Sequence, residues 1–267
     1  MNQNSGSSSG LIKPSKSLKP FLNKVLGLIG LEVQEISPIT KDLSTSTKET
    51  LSAKFRNYHL GCGTIIADEF LNIDGSIADF SEKVGVPVLV EGSKESYILG
   101  HDLRYGIPAA DSQLEIIYHS HFLEHLTNKE GMDFLCDCYR CLKEGGTIRF
   151  AVPDFALWCN NYISGKTEFF NWYREAYLSS TTYLDYYWET HDEAAMVFSG
   201  MLFNWGHKMA YDFQSLAKRL EQIGFTDIQP MEWGISQRVP SLTLLESGDS
   251  PRRFESLIIE CRKSALI

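Results

Sequence analysis

The chain has 267 residues, 43% of them hydrophobic, which suits one α/β domain with insertions or one domain plus a small lobe. A net charge of −9 excludes the basic footprint of a nucleic-acid binder and favours solubility. No apolar run approaches the ~18 residues of a membrane span, no signal-peptide core is visible, and six cysteines show neither zinc spacing nor disulfide density, so a reducing cytoplasm is expected.

Residues 1–17 are polar and low in complexity, the composition of a disordered tail. A short apolar stretch at 18–31, broken by Gly27 and Gly30, is a candidate short helix, and the Ser, Thr and Lys of 37–54 read as a linker. Residues 1–54 are therefore expected as a flexible tail and linker, and 55–267 as the folded domain. From 55 onward strand and helix patterns alternate, which predicts a parallel sheet. Strands are expected at 55–60, 70–74, 97–101, 114–119 and 147–152, with an extra one within 86–90. Met132, Leu135, Tyr139 and Leu142 at helical spacing predict a helix over 128–143 that Gly145 and Gly146 end. A helix at 211–223 stops at Gly224, and strands at 226–233 and 255–262 close the chain. Residues 155–205 hold 15 of the 32 aromatic residues, predicting an aromatic-rich insertion on the substrate side.

The chemistry is concentrated where the first two strands end. The first stops at Gly61-Cys62-Gly63, and the second runs Leu-Asn-Ile into Asp74 and Gly75. Bare backbone next to a strand-end carboxylate can hold a nucleoside, the acid accepting from the ribose hydroxyls. A dinucleotide site needs a third glycine and an acid about 20 residues on. Here the third position is Ile66, and only ten residues separate Gly63 from Asp74. S-adenosylmethionine, a nucleoside without phosphate, relaxes both demands. Asp102 and Leu103, after the third strand, can meet its adenine; Ser120 and His121, after the fourth, lie toward its sulfonium and methionine part. The alternative is a nicotinamide-dependent oxidoreductase or sugar-nucleotide epimerase.

These stretches resemble class I S-adenosylmethionine-dependent methyltransferases, and most closely the bacterial subgroup often linked to cell-surface polysaccharide biosynthesis. The matching residues are His59-Leu-Gly-Cys-Gly63, Leu71-Asn-Ile-Asp74, Asp102-Leu-Arg104 with Ile107-Pro108 and Asp111, His119-Ser-His-Phe-Leu-Glu-His125, Leu142-Lys-Glu-Gly-Gly146 and Val152-Pro-Asp154. Farther on, His207-Lys-Met-Ala-Tyr-Asp212 and Gly224-Phe225 also fit. The resemblance implies a Rossmann-like α/β sheet of about seven mostly parallel strands, the last antiparallel, with helices on both faces. It implies S-adenosyl-L-methionine as cofactor, held by Gly61, Cys62, Gly63, Asp74, Gly75, Asp102, Leu103, Ser120 and His121. The expected reaction moves a methyl group to oxygen or nitrogen of a small molecule or glycan precursor; a non-catalytic binder of the same cofactor is the other reading. The chain departs from the family in lacking an acid just before the glycine loop, lacking a third glycine, and carrying a longer 75–97 segment.

Methyl transfer needs a base only when the acceptor is a hydroxyl or a protonated amine. His121 and Asp154 are the catalytic candidates, with His191 and His207 behind them; Asp154 could instead cap a helix starting near Phe155. His121, Glu124 and His125, spaced i, i+3, i+4, could share a helical face and hold a divalent cation. Some small-RNA 2′-O-methyltransferases use a related Glu-x-x-Glu-His cluster. Here the first position is His and no second His motif accompanies it, so no metal is expected.

Overall fold

The computed structural model describes residues 43–75, 86–90, 93, 95–178, 193–239 and 242–264, all within one compact unit, Ile39–Ile267. The tail and short helix expected before residue 43, and His191, lie outside the described residues. Among the described residues no helix is long and apolar enough to cross a membrane.

Eight strands form one sheet: β1 (Asn57–Leu60), β2 (Leu71–Asp74), β3 (Val88–Leu89), β4 (Tyr97–Gly100), β5 (Leu114–Ser120), β6 (Leu142–Pro153), β7 (Phe225–Met231) and β8 (Ser256–Lys263). Their order is β3-β4-β2-β1-β5-β6-β8-β7. The run from β4 to β6 is parallel; β8 enters antiparallel between β6 and β7, and the short β3 pairs antiparallel with β4 at the edge. This is the expected Rossmann-like α/β sheet, its last strand reversed, with the extra strand of 86–90 as the eighth. β1 and β5 adjoin in the middle, so the ends of β1, β2, β4, β5 and β6 meet at one edge, where open α/β sheets bind ligands.

The helices are α1 (Thr45–Lys54), α2 (Asn128–Cys141), α3 (Phe155–Ile163), α4 (Thr167–Leu178), α5 (Ala194–Phe203), α6 (Phe213–Ile223) and the short α7 (Leu242–Leu245). α1 corrects the linker reading of 37–54. The Ser44 hydroxyl accepts from the Thr47 amide at its start, and Leu51 and Ser52 are buried. Its few apolar residues do not line one face, so periodicity gives no signal. α2 opens on a capping box between Thr127 and Glu130 and ends at Cys141, four residues before the glycine expected to stop it.

One face of the sheet buries Tyr58, Leu60, Leu71 and Ile73 with Phe134 and Leu135 of α2 and Leu216 and Leu220 of α6. The other buries Ile116 and Tyr118 under Ala67, Phe70, Val239, Leu242 and Leu245. Cover on that second face comes in part from the β1–β2 crossover, residues 61–70, which contains no helix. Asn72 holds this crossover down. Its amide oxygen accepts from Ala67 N–H (3.0 Å), and its amide nitrogen donates to the carbonyls of Ala67 (3.0 Å), Phe70 (3.2 Å) and Tyr97 (3.0 Å). A buried loop must satisfy its backbone polar groups, and one asparagine supplies much of what a helix would supply internally.

Arg149, in the middle of β6, is 0% exposed. Glu246 pairs with it through both oxygens (2.7 Å each), Glu260 stands at 3.3 Å, and the carbonyls of Glu232 (2.8 Å) and Ile235 (3.0 Å) take further guanidinium protons. The planar fork fits this enclosure as no other cation would.

The aromatic insertion forms α3, α4 and α5 around a core of Trp158, Phe170, Tyr173, Val197 and Met201. Phe169, Phe170 and Tyr173 meet Trp158 edge-on. The six cysteines are free; Cys62, Cys138, Cys141 and Cys261 are buried.

Candidate active site

A cleft of about 650 Å³ opens over the ends of β1, β2, β4 and β5. All nine residues expected to bind cofactor line it: Gly61, Cys62, Gly63, Asp74, Gly75, Asp102, Leu103, Ser120 and His121. Its size falls within the ~300–1,000 Å³ of small-molecule sites. Arg104, Lys208 and Arg252 add three cations to its lining.

Gly61 (φ +63°) and Gly63 (φ +53°) both adopt the left-handed backbone that side chains disfavour. Their surroundings differ. A Cβ on Gly61 would lie 2.5 Å from the Phe122 ring, whereas one on Gly63 would meet nothing within 4 Å. Gly61→Ala is therefore expected to lower both the melting temperature and ligand affinity, and Gly63→Ala to show only the cost of its backbone angle, ~1–2 kcal/mol. Thermal melts of the two variants side by side check this; equal losses would mean that Phe122 yields without cost.

Asp74 shapes the glycine turn directly: its Oδ2 accepts from Gly63 N–H at 2.8 Å. Asp102 shows a contact the sequence did not suggest. Arg104 closes a fork on it, with Nε donating to Oδ1 (3.0 Å) and an outer nitrogen to Oδ2 (2.6 Å), while the Arg104 amide also reaches Oδ1 (3.0 Å). Burial pushes the Asp102 acid up, but these bonds outweigh it and hold its pKa below the usual value. The carboxylate thus reaches the cleft already gripped by a neighbouring guanidinium. Cys62 is a thiol, pushed up to about 12 by burial and by Asp74.

His121 ends β5 with φ +52°, a strained backbone of the kind that gathers at functional sites. Its Nε2 lies 2.7 Å from Ser256 Oγ on β8 and its Nδ1 3.4 Å from Glu124 Oε1. Burial, with Arg252, His207 and His125 nearby, holds it well below the ordinary histidine value and keeps the ring neutral.

Asp154 takes the other course. Its Oδ1 accepts from the amides of Ala156 (3.0 Å) and Leu157 (3.2 Å), capping α3, and it lines neither the cleft nor the chamber beside it. Burial raises its pKa, offset in part by those two amides. The structure gives Asp154 a capping task.

The neighbouring chamber, about 200 Å³, shares His121, His125 and Arg252 with the cleft. It is lined further by Glu124, Pro153, His207 and Glu255 and by Tyr173, Tyr177 and Trp205 of the aromatic insertion. Burial pushes Glu255 up to about 7, the hydroxyl of Tyr177 and the charge of Arg252 drawing it partly back. Residues 123–125 form a 3-10 turn rather than the helix that the i, i+3, i+4 reading required. Glu124 and His125 gather with His207, a residue taken singly in the sequence, while His121 keeps its 3.4 Å contact with Glu124.

No family model matches the sequence, and no curated protein is similar to it. Solved structures similar to this chain include a SAM-dependent methyltransferase from Archaeoglobus fulgidus, at 15% identity and TM-score 0.42, covering 80% of this chain and 93% of that one. A second is the CurJ carbon methyltransferase, at 11% identity and TM-score 0.42, covering 91% of this chain and 54% of that one. A third is PigF with SAH, at 12% identity and TM-score 0.33, covering 62% of this chain and 35% of that one.

Proposed function

We propose that the chain is an S-adenosylmethionine-dependent methyltransferase acting on oxygen or nitrogen of a small molecule or glycan precursor. One observation carries the reading: the Gly61–Gly63 turn and the acids Asp74 and Asp102 open onto one cleft, and no helix follows the turn. A pyrophosphate rests on the N-terminus of a helix behind its glycine loop. The crossover at 61–70 has none to give, which favours a nucleoside without phosphate.

The residues fit that ligand. The left-handed glycines bare the main chain, Asp74 accepts from ribose hydroxyls, and Asp102 with Arg104 borders the adenine end. S-adenosylmethionine supplies a methyl on a sulfonium whose leaving group departs as a neutral thioether, so no acid is needed. The chain's task is alignment, which supplies up to ~7–11 kcal/mol of barrier reduction. His121, neutral and shared by cleft and chamber, is placed to hold the acceptor's proton at an imidazole nitrogen. The aromatic wall of Tyr173, Tyr177 and Trp205 suits a sugar or other flat-faced acceptor.

Calorimetric titration with S-adenosylhomocysteine tests the reading. Micromolar binding is expected, with none for nicotinamide dinucleotides; the reverse pattern would replace it with the oxidoreductase reading. Mass spectrometry of acceptor pools incubated with methyl-labelled cofactor then identifies the acceptor.

A further inference from the structure

We propose that Glu124, His125 and His207 form a binding site for a divalent transition-metal cation on the wall of the chamber beside the cleft. One ligand atom from each of the three lies within 4.8 Å of the others. Ligands of a tetrahedral ion with ~2.1 Å bonds stand about 3.4 Å apart, so the donors would draw together by up to about 1.4 Å on binding. Imidazole and carboxylate donors together suit zinc, manganese, cobalt or ferrous iron.

Three further observations point the same way. Glu124 is 1% exposed, and neither of its carboxylate oxygens makes a hydrogen bond among the described residues, the nearest basic nitrogen being His121 Nδ1 at 3.4 Å from Oε1. A buried carboxyl group whose oxygens make no hydrogen bond is costly, and a bound cation is one way to satisfy it. Both rings also have backbone partners. His207 Nδ1 lies 2.6 Å from the Met201 carbonyl, and the main chain of Trp205 and Gly206 hydrogen-bonds to His125. An imidazole that donates to a carbonyl through one nitrogen has the lone pair of the other fixed for a metal. The backbone joins the pieces as well, because the Glu124 carbonyl accepts from the amides of Lys208 (2.8 Å) and Met209 (3.2 Å), pinning the His207 segment beside the 3-10 turn. Three donors from two segments are thus held together by contacts that need no ligand.

The role of the cation rests on the methyltransferase reading. Facing the chamber with open positions, it would take an acceptor hydroxyl as a ligand and lower its pKa. The hydroxyl proton then passes to His121, shared by cleft and chamber, and on to solvent; the oxygen–carbon bond forms as the carbon–sulfur bond breaks, and the electron pair of that bond stays on sulfur.

The test needs no turnover. Chelator-treated full-length protein is titrated with Mn²⁺ by calorimetry and with Co²⁺ by visible spectroscopy. One tight equivalent is expected, with cobalt bands of a low-coordinate nitrogen–oxygen site. Glu124→Gln and His207→Ala should each weaken Mn²⁺ binding at least tenfold. His207 does not line the cleft, so His207→Ala should keep its affinity for S-adenosylhomocysteine, which also shows the fold intact. A parent protein that binds no Mn²⁺ or Co²⁺, or variants that bind as well as the parent, overturn the site. Loss of S-adenosylhomocysteine binding by the parent, with the Mn²⁺ equivalent retained, would instead remove the methyltransferase reading and leave the cation site standing.

Discussion

Asp74→Ala is expected to weaken S-adenosylhomocysteine binding about 100-fold. Hydrogen bonds to a charged acceptor contribute ~1.5–3 kcal/mol each, and each ~1.4 kcal/mol is tenfold in affinity. The carboxylate has a double task, since the oxygen that fixes the Gly63 amide at 2.8 Å belongs to the group that faces the ribose. Asp74→Asn separates the two. Its amide oxygen can still accept from Gly63, so the turn keeps its shape while the charge and one acceptor are lost. Affinity intermediate between parent and Asp74→Ala is expected by calorimetry. If Asp74→Ala bound as tightly as the parent, Asp74 would have no part in gripping the ligand.

Arg149→Ala is expected to reduce folding stability by ~3–5 kcal/mol, the range for removing one partner of a buried ion pair. The loss comes less from the absent guanidinium than from what remains. Glu246, nearly solvent-free, would lose its cation, Glu260 would be left with Arg238 at 3.4 Å, and two carbonyls would lose their donor. Arg149→Lys should rescue little, because a single ammonium cannot satisfy the paired geometry with Glu246. Urea midpoints at constant m value measure both. A loss under ~1 kcal/mol would show that the glutamates find other partners.

The sheet was largely legible in the sequence. Each of the principal expected strands forms at its expected place, because apolar runs between glycine turns carry a local signal. The cleft was legible for a similar reason: in a parallel sheet a strand's last residues go to a known edge, so Asp74, Asp102 and His121 could be placed from strand order alone. What escaped notice depends on partners distant in sequence. Arg149 and Glu246 are 97 residues apart, and nothing near either announces the pair. Asn72 looked like an ordinary strand residue, yet it fastens a loop where a helix would be usual. Arg104 follows Asp102 so closely that its grip could have been suspected from a cation two residues after a strand-end acid. His207 gained its setting only when the 201–209 segment docked against Glu124. The helix at 45–54 was hidden for another reason: its polar composition matches a linker, and a short capped helix with one buried leucine needs little amphipathic pattern.

The reversed strand β8 has a consequence for how the molecule is made. Ser256, which meets His121, and Arg252 and Glu255, which line the chamber, leave the ribosome after nearly everything they complete. Until then β6 lacks the neighbour it pairs with from Thr147 to Pro153, and a nascent chain carries a bare hydrophobic sheet margin. The glycine turn is synthesised well before Arg252, which lines both cleft and chamber, so ligand-binding competence should arise only once β8 has followed.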